Sequence, residues 1–441
     1  MYSNKDLCKL ILPLIIEQVL AVTIGIADTV MVSSAGEAAV SGIALIDSIN
    51  ILLINLFTAM ATGGAIIATQ YIGSKQPEKA RNSAAQLEVT VAVIASVIMV
   101  ACVLLRRPII RLVFGNIEAD VMANADVYFL ISAISYPFMG VYNAGAALFR
   151  SMSNSKTPMY ISTFMNLVNV AGNALLIYGF SMGAAGAALA TLASRVVGAV
   201  IITALLFNTK RPIHLGELLH YKPDKELIGR IFSLGVPNGI ENSMFQFGKL
   251  LVASIVSTFG TAAIAANAVA NNIVSLQVIP SAAIGTAMMT VVGTCRGAGN
   301  IADVKKYTKK LMIYSYIAIE VMIVFTLLIG KPVISFYELT EETASLAWVM
   351  FFVHSVAAVL VWPLAFTMPN ALRAVGDVKY TMTVSMVFVF LFRVGFSWLL
   401  AIALNWGVVA IWIAMAIDWV ARGLFFTVRF LRGKWKTIQV I

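Results

Sequence analysis

Charge is scarce in this sequence. Asp, Glu, Lys and Arg make up 12% of its 441 residues, against 60% hydrophobic residues, a balance foreign to soluble globular chains, where about 25% are charged. Cysteine is almost absent: Cys8, Cys102 and Cys295 lie in or beside apolar stretches at no metal-binding spacing, which excludes a disulfide framework and a zinc site. There is no Gly-Lys-Ser/Thr loop to cradle ATP phosphates, no paired His for a metal and no Ser/His/Asp set at one depth. The chain is therefore expected not to be an enzyme and to need no cofactor. A formal charge of +10 would suit nucleic acid only if the basic residues formed one patch. They sit between apolar runs instead, so no nucleic-acid partner is expected.

What is present is a series of apolar runs, each about 20 residues or longer, enough to span ~30 Å of hydrocarbon as helix. Strands of an outer-membrane barrel are shorter and alternate. Twelve candidate spans begin near Leu10, Val40, Ala84, Val127, Met159, Ala184, Ile231, Ala263, Leu311, Leu346, Thr381 and Gly407. The fold class expected is an all-α membrane protein with twelve transmembrane helices in two six-helix bundles. The first run contains Glu17 and Asp28 and is followed by no small-residue cleavage site, so it reads as a retained helix. Loops on one side hold Lys75, Lys79, Arg81, Lys156, Lys305, Lys309 and many other basic residues, whereas the opposite loops hold Arg106, Arg107, Arg111 and Lys331. The positive-inside rule then puts both termini in the cytoplasm.

The two halves echo each other. Pro13/Pro237, Glu17/Glu241, Gly36/Gly260, Gly73/Gly297 and Pro108/Pro332 share one offset of 224 residues (237 − 13). Apolar composition alone would not align Pro and Glu in register, so the pattern reads as a duplication. Arg150 to Lys156 echoes Arg373 to Lys379 with a shift of 223. The expected domains are an N-terminal lobe over 1–208, a basic cytoplasmic link over 209–225 and a C-terminal lobe over 226–441.

A charge at bilayer depth costs about 2.5–3.5 kcal/mol on insertion scales, so it is normally paired or lines an aqueous cavity. The candidates are Glu17, Asp28, Asp47 and Arg195, then Glu241, Lys249, Glu320, His354, Arg393, Asp418 and Arg422. Glu17 and Asp28 are eleven residues apart, about three turns, so they share a face at two depths. Protonation would relieve their burial, the logic of a proton-coupled carboxylate. Glu17 and Glu241 each follow a Pro by one turn and could equally cap backbone donors freed at a kink. Asp418 and Arg422, at i and i+4, suit a structural ion pair. Arg150 and Arg373 read as structural helix ends, and His354 as a hydrogen-bonded packing residue that could alternatively titrate. Asn166, Asn169 and Asn173 form one polar stripe with Thr191 available opposite, either as a site or as helix glue.

The run from Pro13 to Gly36, with Ala27-Asp28-Thr29-Val30-Met31-Val32, resembles the first-helix signature of the multidrug and toxic compound extrusion (MATE) family. The Arg150 and Arg373 segments resemble that family's repeated helix ends. The resemblance covers essentially the whole chain. It implies a V-shaped pair of six-helix bundles in a bacterial cytoplasmic membrane, exchanging amphipathic, usually cationic, compounds against H+ or Na+. It also implies an ion-coupling role for Asp28, with Asn169, Asn173 and Thr191 in the places of a fifth-helix pair and a sixth-helix threonine. Position 173 is Asn where the family's second carboxylate stands, which weakens a Na+ site near Asp28. In the C-terminal lobe Phe245 and Trp362 stand where another branch carries acids, and Glu241 is the candidate substitute.

The function expected is therefore a secondary active multidrug exporter. Ion-coupling candidates are Asp28, Asn169, Asn173, Thr191, Glu17 and Glu241, and the substrate cavity is expected to include Asp28, Glu17, Glu241, Trp362 and His354. Its partners would be organic cations or amphipathic drugs and the lipid bilayer, with the chain acting as a monomer. The alternative is a lipid-linked oligosaccharide flippase of the same superfamily, though the intramembrane acids here outnumber the intramembrane Lys and Arg. A membrane enzyme or receptor would need a reactive cluster or a soluble domain, and neither is visible.

Overall fold

The computed structural model describes residues 2–441 apart from the side chains of Ile26, Ala27, Glu217, Leu219 and His220, so Ala27 of the first-helix signature lies outside the described side chains. In chain order the helices are α1 (Asn4–Ser33), α2 (Glu37–Gly73), α3 (Pro77–Phe114), α4 (Ala119–Ile134), α5 (Tyr136–Ser151), α6 (Lys156–Asn173), α7 (Gly183–Leu206), α8 (Lys225–Ser257), α9 (Thr261–Gly297), α10 (Ile301–Ser335), α11 (Glu341–Trp362), α12 (Met368–Ala374), α13 (Val378–Phe388) and α14 (Val409–Arg432). Wide π-type turns extend α6 through Ala174–Gly179, join α11 to α12 through Pro363–Thr367, and continue α13 through Val389–Phe396. Joined in this way, with α4 and α5 forming one span, the described residues make the twelve spans expected from the apolar runs.

Ten of the spans are long and apolar enough to cross a membrane. The α4–α5 span is broken at Ser135 into two helices of 16 residues each. The other, α8, is 33 residues long but interleaves Asn238, Glu241, Gln246 and Lys249 with its apolar residues.

Local chemistry sets the helix starts. Ser3 and Asp6 form a reciprocal capping box at α1, which satisfies two otherwise orphaned N–H groups. Thr340 caps α11 and Asn300 caps α10. Gly36 and Gly260 precede α2 and α9 with φ +96° and +89° and ψ 160° and 178°, a conformation essentially confined to glycine. The duplication is visible in these elements: α2 and α9 are both 37 residues long, begin after the paired glycines and end on Gly73 and Gly297. The paired prolines Pro13/Pro237 and Pro108/Pro332 lie inside α1/α8 and α3/α10.

Residues Ser3–Gly239 form one compact unit, and Ile240–Ile441 with Tyr2 form another. The N-terminal unit packs around Ile46, Phe57, Phe129 and Tyr136, all fully buried. The C-terminal unit packs around Met350, Phe351, Trp412 and Ala414, with Trp419 beside them. Leu104, Leu112, Leu328 and Leu360 point outward, as a lipid-facing surface requires.

The boundary between the units differs from the expected link at 209–225, because that segment packs on the N-terminal unit. The buried Gln86 donates from Nε2 to Lys222 O at 2.7 Å and accepts from Tyr221 Oη at 2.9 Å, and Ile213 and Leu215 are buried. Burial pushes the Tyr221 phenol up. The first half of α8 is held as closely: a Cβ on Gly63 of α2 would lie 2.5 Å from the Gly235 nitrogen. The division therefore falls within α8, just after Pro237.

Candidate functional site

Asp28 sits near the end of α1, half-buried. Asn169 and Asn173 stand one turn apart on α6, so both amides leave the helix on one side, and α7 brings Thr191 beside them. Asn173 Nδ2 donates to Asp28 Oδ1 at 2.9 Å. The Asn169 amide is oriented by its complementary partners: its nitrogen is 2.9 Å from both Asp28 oxygens, and its oxygen accepts from Thr191 Oγ1 at 3.1 Å. The four residues read from the sequence as one group are thus one hydrogen-bonded cluster. Among the described residues no Lys or Arg lies within ion-pair distance of Asp28.

A second polar group lies in the same unit. Asp47 on α2 accepts from Tyr128 Oη at 3.0 Å and Asn50 Nδ2 at 3.1 Å, Tyr136 Oη donates to Asn50 Oδ1 at 2.8 Å, and Arg195 donates to Ser135 Oγ at 2.6 Å. The sequence reading found Asp47 and Arg195 but not their tyrosine and amide partners, because tyrosines in apolar runs carry no local signal. Glu88, buried on α3 with Oε1 unpartnered, was also missed, although it lies inside the run that begins near Ala84.

Glu17 and Glu241 are placed elsewhere. Glu17 accepts from Arg150 Nη2 at 2.8 Å. Glu241 accepts from Arg373 Nη2 at 2.6 Å and from Ser385 Oγ at 2.5 Å. These are equivalent pairs in the two repeats: the cation ending one span neutralises the acid one turn after the helix proline. Neither glutamate contacts Asp28 in the described network, and neither is seen capping backbone donors at its proline. Asp418 and Arg422 form the i, i+4 pair, at 2.7 Å and almost fully buried.

His354 and Trp362 join an aromatic cluster in the C-terminal unit. The His354 ring lies 5.0 Å from Trp419 and 6.0 Å from Trp362, and Trp362 stacks on Phe366 at 3.9 Å. His354 is buried with Nδ1 unpartnered, so it packs among the rings without the hydrogen bond expected of it at that atom. The Phe245 ring, where an acid was sought, is approached by cations: Lys249 Nζ at 5.2 Å and Arg393 Cζ at 4.9 Å. Among the described residues no group of three or more His, Cys, Asp or Glu is placed to hold a metal ion.

A cluster of one carboxylate, two amides and a hydroxyl can take up and release a small cation. Comparison with known proteins agrees with a transport fold. The family model described as MatE matches residues 13–175 and again 237–399, the two repeats read from the offset. Over 99% of its length the chain is 27% identical to "Probable multidrug resistance protein NorM" of Thermotoga maritima, 94% of which is covered. It is 25% identical to "Uncharacterized transporter YisQ" of Bacillus subtilis, over 98% of this chain and 94% of that one. A solved MOP superfamily transporter from Pyrococcus furiosus shares the fold at TM-score 0.90 and 19% identity, covering 99% of this chain and 97% of that one.

Proposed function

The chain belongs to the MatE family, and from that membership we propose that it is a secondary active multidrug exporter of amphipathic organic compounds, driven by ion exchange at Asp28. The observation that carries the reading is the setting of Asp28: an intramembrane carboxylate held by Asn169 and Asn173 amides and, among the described residues, by no basic side chain. Such a group changes its charge without first breaking an ion pair. Ionised, it accepts the amide N–H groups and ties α1 to α6. Protonated, it loses the charge those donors face, and α1 is released to repack. The exchange of proton and cargo then follows from both acting on one carboxylate, with a cationic cargo group favouring the ionised form.

Proton coupling is preferred to sodium. Hard cations take oxygen ligands, whereas the groups facing Asp28 are amide nitrogens, and position 173 supplies Asn in place of a second carboxylate. We further propose that both termini are cytoplasmic, in line with the basic loops, and that the chain works as a monomer. Relatives named for multidrug resistance do not favour the flippase alternative.

The test is efflux of a fluorescent organic cation from proteoliposomes under a pH gradient or a sodium gradient imposed separately. Efflux driven by the pH gradient and lost in Asp28→Asn is the expected result. Dependence on sodium alone would overturn the choice of ion, and dependence on neither would overturn coupling.

A further inference from the structure

The 224-residue offset carries the Asp28 site onto the C-terminal unit. Asp28 maps to Val252, Asp47 to Asn271, Asn169 to Arg393, Asn173 to Ser397 and Thr191 to Met415. One contact is kept as well as the positions. Asn169 meets Thr191 at 3.1 Å between α6 and α7, and Arg393 Nη2 meets Met415 Sδ at 3.0 Å between the continuation of α13 and α14. The repeat runs at offset 223 from Arg373 to Lys379, and the wide turn Val389–Phe396 accommodates an extra residue, which restores the register at Arg393.

What changes is the sign of the charge. Val252, Asn271, Arg393 and Met415 line a cavity of about 220 Å³ together with Lys249 and Trp412. Arg393 is only 8% exposed, and its Nε and Nη1 have no hydrogen-bond partner. Among the described residues its side chain donates to the Met415 sulfur, a weak acceptor, and lies over the Phe245 ring. Asp418, the acid of the same bundle, is held through Oδ2 by Arg422 at 2.7 Å, and its charge reaches Arg393 from beyond ion-pair distance. Among the described residues no carboxylate lies within ion-pair distance of Lys249 or Arg393. A buried guanidinium with unmet donors is costly, and an oxyanion is the partner its planar fork fits best. Trp412 and Val252 supply an apolar wall. The volume is below the ~300–1,000 Å³ of drug-sized sites, which suits a compact acid or the acidic end of a larger molecule.

We propose that the C-terminal unit holds an anion-binding site, the duplicated counterpart of the Asp28 site with inverted polarity, in which Arg393 and Lys249 clamp the carboxylate or phosphate of a small amphipathic molecule. It deepens the export reading by placing an acidic group on the cargo, and it rests on that reading only for the word cargo.

The experiment uses the full chain in nanodiscs of zwitterionic lipid, titrated calorimetrically with benzoate and with phenyl phosphate, uncharged benzyl alcohol being the control. The wild type should saturate with at least one of the two acids and not with benzyl alcohol. Arg393→Met should weaken acid binding by about tenfold or more, the scale of a charge-assisted hydrogen bond, and Arg393→Lys should restore part of it. Lys249→Met, at a more exposed position, gives a second loss in case Arg393→Met does not fold. In discs containing phosphatidylglycerol, competition with the acid in the wild type identifies lipid phosphate as an occupant, and its absence assigns the site to a soluble anion. Equal acid affinity in wild type, Arg393→Met and Lys249→Met would overturn the proposal, as would no binding of either acid by the wild type together with no stabilisation by phosphatidylglycerol. Binding here needs no gradient, so a negative result leaves ion-coupled export standing, and absence of gradient-driven export by the wild type with intact acid binding counts against the coupling reading alone.

Discussion

Glu241 and Arg373 are joined at 2.6 Å across α8 and α12, and the repeat reproduces the relationship as Glu17 and Arg150 at 2.8 Å. The Glu241 and Arg373 side chains are 6% and 14% exposed, so removing one partner strands the other in a poorly solvated place. Arg373→Ala is expected to destabilise the protein by about 3–5 kcal/mol, and the double change Glu241→Ala with Arg373→Ala by less than the sum of the single changes. Thermal unfolding in detergent checks this. Glu226→Ala, which removes the exposed acid of the Glu226–Arg230 pair, is the control and should cost about 0.3–0.5 kcal/mol at most. If Arg373→Ala costs no more than the control, the pair does not hold the fold.

Asp28→Asn should abolish gradient-driven efflux while leaving the fold in place, because an Asn carbonyl still accepts from Asn169 or Asn173. Its unfolding free energy should change by about 1 kcal/mol or less. Asn173→Ala, which removes the 2.9 Å donor, should lower efflux less severely, since Asn169 still faces the carboxylate. Asp28→Asn efflux equal to wild type would remove Asp28 from the coupling step.

Gly260→Ala tests backbone conformation apart from packing. A Cβ there meets nothing within 4 Å, but φ is +89°, and an alanine held in that region costs about 1–3 kcal/mol. Gly229 within α8 is also open and has helical geometry, so Gly229→Ala should stabilise by about 0.5–1 kcal/mol. Opposite signs at two equally open glycines are the expected readout in chemical or thermal unfolding, and equal signs would contradict it.

Gln86 should fasten the segment that links the repeats. Gln86→Ala leaves Tyr221 Oη and Lys222 O without their partners at 2.9 Å and 2.7 Å, a loss of about 1–3 kcal/mol concentrated in that segment. Limited proteolysis should then cleave within 209–225 faster than in the wild type while the helical core persists. An unchanged cleavage rate would mean that other contacts hold the link.

Much of the candidate site was legible because its components are local. The spacing of Asn169 and Asn173 puts both amides on one side of α6 whatever surrounds it, and an aspartate in an apolar run must find a polar partner. The pairing of Glu17 with Arg150 was not legible, although both residues were singled out. They are 133 residues apart, and each had a sufficient local explanation: a kink cap for the acid, a helix end for the cation. The tyrosines around Asp47 were missed for a similar reason, since their hydroxyls take on meaning only when helix packing turns them toward the carboxylate.

By itself the sequence determined the number of spans, their order and the duplication, because apolar length and the register of Pro, Gly and Glu are properties of the chain that no partner can alter. Only the tertiary structure decided which buried charges are paired and which are not: Glu17 and Glu241 each meet an arginine, Asp28 is held by amides, and among the described residues Arg393 has no carboxylate within ion-pair distance. In a membrane the fate of a charge depends on the side chain that reaches it across a helix interface, and that distance is set by packing.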